Sequence, residues 1–89
     1  MTTTPPWRDP EPNELMMFTL YEKPSDYPNA YVVRAWYVRS GTPTPEPAFA
    51  AVAFGSAKDA ARWMLWNYPD KAWQARKADD EAQIMGVWF

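Results

Sequence analysis

The sequence predicts an α+β domain: an antiparallel sheet of four or five strands with one helix packed on one face. The expected order is strand, strand, strand, helix, strand, strand. Three observations carry this. Two blocks of apolar, β-branched and aromatic residues, 15–21 and 31–39, are each bounded by turn residues. A serine-led capping motif at Ser56 opens the one clear amphipathic stretch. The chain then closes on another strand-like block, 84–89. Eighty-nine residues make one domain, taken as 14–89, with a flexible Pro-rich arm over 1–13.

The arm holds Pro5, Pro6, Pro10 and Pro12 and little apolar material, and proline breaks both helix and sheet. Its Trp7 is expected to be solvated or loosely packed, since termini are usually loose. The alternative is an arm that docks its tryptophan on a neighbour. Leu15–Tyr21 is a short apolar strand, and 22–29 is a loop with two prolines and an asparagine. Tyr31–Arg39 is the clearest strand. Both its faces are apolar, one with Tyr31, Val33, Ala35 and Tyr37, the other with Val32, Arg34, Trp36 and Val38, as for a central strand covered on both sides.

Residues 40–47 form a Pro-rich connector, and Ala48–Phe54 a third strand bounded by Pro47 and Gly55. Ser56 caps a helix that runs to about Asn67, and Tyr68-Pro69 ends it. At 100° per residue, Ala57, Ala60, Ala61, Met64, Leu65 and Tyr68 make the stripe expected to face the core. Residues 70–85 fit either a helix from Asp70 to Gly86 or a hairpin of 71–76 and 83–89. The hairpin is preferred, because Trp73 and Ala75 alternate with Gln74 and Arg76.

Composition separates functional classes. The chain has six tryptophans, no histidine and no cysteine. Trp, Tyr and Arg dominate the centres of interaction surfaces. Histidine and cysteine supply most general-base, nucleophile and transition-metal chemistry. The reading is a non-enzymatic protein-binding chain with no cofactor and no metal. A net charge of −2 gives no basic field for phosphates, so nucleic acid is not the expected partner. Base stacking on Tyr31, Tyr37 or Trp36 is the alternative, and a homo-oligomeric virion component is another. No apolar run approaches the roughly 18 residues of a membrane span, and Met1–Pro6 lacks the charged start and apolar stretch of a signal peptide. A cytoplasmic location is therefore expected. Asp79-Asp80-Glu81 is read as a solvated turn rather than an oxygen-ligand site.

Candidate contact residues sit on the helix and the second strand. Trp66 lies opposite the core stripe between Arg62 and Asp59, and Trp63 lies on its flank. Trp66 is either covered by the arm or tail, or exposed as a contact with Arg62 beside it. Arg34 beside Trp36 is a candidate cation–π pair, and Tyr37 shares that strand. One helix shelters one sheet face, so the other is left for a partner protein, a twin subunit or the arm.

Phe18-Thr19-Leu20-Tyr21-Glu22-Lys23-Pro24-Ser25-Asp26-Tyr27-Pro28 followed by Tyr31-Val32-Val33-Arg34-Ala35-Trp36 resembles the opening of short proteins encoded by bacteriophages and prophage-bearing proteobacteria. Those proteins tend to close on an acidic turn and a strand with a late Trp, similar to Asp79-Asp80-Glu81 and Trp88. The likeness covers residues 18–39 and 79–89. It implies a mobile-element origin and an accessory role, such as inhibition of a host defence complex in the manner of an anti-CRISPR protein. It brings no functional residue with it.

Overall fold

The computed structural model describes residues 4–78 and 82–89. The order is β1 (Glu14–Glu22), β2 (Tyr31–Arg39), β3 (Glu46–Phe54), α1 (Ala57–Asn67), β4 (Trp73–Ala75) and β5 (Ile84–Trp88). All five strands form one antiparallel sheet in the spatial order β3-β2-β1-β5-β4. The expected α+β architecture is therefore present, and the described residues between 70 and 85 contain no helix; β4 pairs with β5, as the hairpin reading required. The acidic residues 79–81 lie outside the described residues.

The β1–β2 pairing is unbroken over nine residues of each strand, from Glu14 opposite Arg39 to Glu22 opposite Tyr31. Period-two alternation puts Met16, Phe18 and Leu20 on the same side as Val33, Ala35 and Tyr37, and all six are buried under the helix. Two irregularities re-aim side chains. Between the pairs Arg34–Ala51 and Trp36–Pro47, residues 48–50 of β3 oppose Ala35 alone, and Phe49 is thrown into solvent. Between the pairs Leu20–Gly86 and Tyr21–Ile84, Met85 is extra, and it packs against the core.

Ser56 takes the N-cap role expected of it: its backbone is extended, and its Oγ accepts a hydrogen bond from the Asp59 N–H at 3.1 Å. The face that α1 buries differs from the expected stripe. Ala60, Trp63 and Met64 are buried, whereas Ala61 and Leu65 are exposed. The helix is rotated by about 80° from the expected direction on the 3.6-residue repeat. The physical reason is size: turning Trp63 inward buries an indole, a larger side chain than the Leu65 it turns out. Trp63 then meets the rings of Trp7, Phe54 and Tyr68.

The loose side chain expected at Trp7 is also corrected. Its indole packs on Phe18 and Trp63, each with ring centroids 5.7 Å apart, and its N–H donates to the Tyr68 hydroxyl at 2.7 Å. Next to it, Arg8 stacks its guanidinium 4.0 Å over the Tyr37 ring and grips the buried carboxylate of Glu14 at 2.7 and 3.1 Å. Arg39 and the Glu11 N–H complete the carboxylate's partners, both at 2.9 Å. The segment before β1 thus lies on the helix side of the sheet, while the loop between β1 and β2 reaches the opposite face, where its Asp26 pairs with Arg34.

Candidate functional site

The helix packs against β1, β2 and β3 and makes no such contact with β5 or β4. The sheet continues past it, so the helix side of the β5–β4 end is left open. The result is a groove of about 510 Å³ between α1 and the hairpin. Its floor is Leu20, Met64 and Trp88, its walls are Leu65 and Trp73, and Met85 enters it from the β5 bulge. Leu65 and Trp73 are 70% and 46% exposed. Trp73 stands opposite Trp88 in the β4–β5 register, with ring centroids 4.5 Å apart. Gly86 keeps that wall in place: a Cβ there would meet the Trp73 ring and come within 2.6 Å of the Gln74 carbonyl oxygen.

The rim is cationic. Lys58 and Lys71 line the groove, and no carboxylate among the described residues does. Lys58 lies in the first turn of α1 and Lys71 follows its C-terminal end, so the two cations come from opposite ends of the helix. The Lys71 ammonium donates to the Met16 carbonyl oxygen at 2.8 Å, an acceptor on β1 two residues beyond Phe18, where the pairing with β5 ends. Tyr68 lines the same trough, and burial pushes its phenol up from the ordinary value. Burial also raises the Tyr37 phenol.

The contact residues expected from sequence scatter over three environments. Trp66 is 70% exposed and Arg62 is exposed, so this pair does form an outer crest of α1, one helical position from the groove wall at Leu65. Trp63 is 4% exposed and belongs to the core. Tyr37 is also core, with its hydroxyl donating to the Arg8 carbonyl oxygen at 2.8 Å. Neither can meet a partner while the domain is folded, and Tyr37 is lost as a base-stacking platform. Trp36 and Arg34 lie half-buried on the face away from the helix. Arg34 pairs with Asp26 at 3.6 Å; the cation seated over a ring is Arg8 on Tyr37. The indole N–H of Trp36 is buried with no hydrogen-bond partner. Leu65, Trp73 and Trp88 were not singled out from sequence as contact residues; the alternation at Trp73 marked it as half-buried and gave no sign of a groove.

Among the described residues no group of three or more His, Cys, Asp or Glu side chains is placed to hold a metal ion, and no helix is long and apolar enough to cross a membrane. Compared with known proteins, the chain matches no family model, no curated protein and no solved structure.

Proposed function

We propose that the chain is a non-enzymatic protein-binding module and that the groove between α1 and the β4–β5 hairpin is its contact surface. The observation that carries this reading is the pairing of two large exposed apolar walls, Leu65 and Trp73, with an apolar floor inside one trough. Exposed contiguous apolar surface rimmed by polar groups is the signature of an interaction site. The crest residues Trp66 and Arg62 extend it with the residue types that dominate interface centres. The partner of this reading is an amphipathic helix, whose apolar stripe fills the trough and whose flanking Asp or Glu residues meet Lys58 and Lys71. On the resemblance of the first two strands and their loop, the helix belongs to a host protein complex whose action the binding blocks.

Capture on the immobilised chain followed by mass spectrometry tests this. The expected result is a partner held by the wild type and by Leu15→Glu, on the far sheet face, but released by Leu65→Glu. Retention by Leu65→Glu, or turnover of any substrate by the isolated chain, would contradict it.

A further inference from the structure

β3 forms one edge of the sheet, and the ladder dictates which of its backbone groups face outward. The Lys23 N–H donates to the Ala30 carbonyl oxygen at 2.9 Å, and the Ser40 N–H to that of Asn13 at 3.3 Å. Bonded pairs alternate along an antiparallel ladder, so odd-numbered β1 residues bond to even-numbered β2 residues. Tyr31 and Val33 are then left to bond to β3, where they face Phe54 and Val52. The N–H and C=O of Ala51 and Ala53 therefore point out of the sheet. No backbone hydrogen bond of the described residues reaches them.

This edge is open where others are guarded. Exposed edges are normally blunted by proline, charge or a bulge. Pro47 and the bulge at 48–50 guard the first half of β3. From Ala48 to Gly55 there is no charge and no proline. The opposite edge, β4, is only three residues long and runs into Arg76 and Lys77.

We infer that Ala51–Phe54 pairs antiparallel with the same strand of a second copy, about a two-fold axis through Val52. Ala51 of each copy then faces Ala53 of the other in two bonded pairs, each exchanging both N–H···O bonds. Val52 meets its own counterpart between them, and the small side chains at 51 and 53 allow close approach. The same pairing lays the bulge that carries Phe49 alongside the Phe54–Gly55 end of the second copy's strand. Phe49 is fully exposed in the single chain, and nothing lies within 4 Å of where a Cβ on Gly55 would sit. The strand thus carries both the unmatched ring and the empty position that receives it. An isologous contact needs that self-complementarity, and a foreign strand would have to supply it separately. This interface lies at the opposite sheet edge from the groove, so both can be occupied at once.

Sedimentation velocity across a dilution series tests the pairing. The wild type should pass from 10.3 kDa to twice that mass as concentration rises. Ala53→Lys and Phe49→Lys replace exposed side chains, so each should keep the far-UV circular dichroism and raise the dimer dissociation constant about tenfold or more. Leu65→Glu, in the groove, should leave it unchanged. A wild type that stays monomeric throughout, a dimer that survives both lysine variants, or one lost with Leu65→Glu would overturn the inference.

Discussion

The Trp7 indole N–H and the Tyr68 hydroxyl meet at 2.7 Å across 61 positions of chain. The contact ties the segment before the sheet to the end of α1, and both rings pack on Phe18. Trp7 is therefore part of the core. Because it is half-buried, Trp7→Ala should destabilise by about 2–3 kcal/mol, below the range of a fully buried tryptophan. Trp7→Phe keeps most of the ring and should lose about 1 kcal/mol with the hydrogen bond. Urea unfolding of both variants measures this.

Glu14 makes stability depend on acid. The hydrogen bonds from Arg8, then those from the Glu11 N–H and Arg39, hold its carboxyl down at about 2. A carboxyl depressed by folding stabilises the native state above its unfolded value, near 4.3. That contribution should fade as pH drops from there through about 2. The melting temperature of the wild type should fall across this window more steeply than that of Glu14→Gln. Above pH 5 the variant should be the less stable of the two, because Arg8 and Arg39 lose their charged partner.

The two helix tryptophans separate core from surface. Trp63→Ala should cost about 3–5 kcal/mol, as for a large core side chain. Trp66→Ala, at an exposed position, should stay within about 1 kcal/mol. Equal losses in urea unfolding would show that the helix is rotated from the position described.

Gly86 is required by a neighbour's ring. Gly86→Ala forces the Trp73 side chain and the β4 backbone to move, because its Cβ would meet both. It should destabilise by about 1–3 kcal/mol and change the near-ultraviolet dichroism of the Trp73–Trp88 pair. An unchanged spectrum would mean that β4 does not lie against β5 as described.

The features legible in the sequence were the local ones. Tyr31–Arg39 announced itself by uninterrupted β-branched and aromatic residues, and Ser56 by its capping motif. Trp73 signalled a strand by alternation. What could not be read were choices made between distant segments. A helical wheel cannot tell that Trp63, surrounded by Trp7, Phe54 and Tyr68, outweighs Leu65. That one decision turns Leu65 outward and builds a groove wall. Nor does a proline-rich start reveal that Arg8 and Trp7 will find Glu14 and Tyr68. The exposure of Trp66 and Arg62 was legible because a position opposite the expected stripe stays outward through the rotation, whereas Trp63 and Tyr37 are drawn into the core.

The most direct test of the groove is the affinity of the captured partner, measured by calorimetry for the wild type, Leu65→Glu and Leu15→Glu. Leu65 and Leu15 are equally exposed, at 70%, on opposite sides of the sheet. The groove predicts that Leu65→Glu weakens binding about thirtyfold or more, the effect of a hot-spot residue, while Leu15→Glu leaves it within about twofold, as a residue outside the contact should. Loss with Leu15→Glu and not with Leu65→Glu would move the contact to the far sheet face and contradict the account.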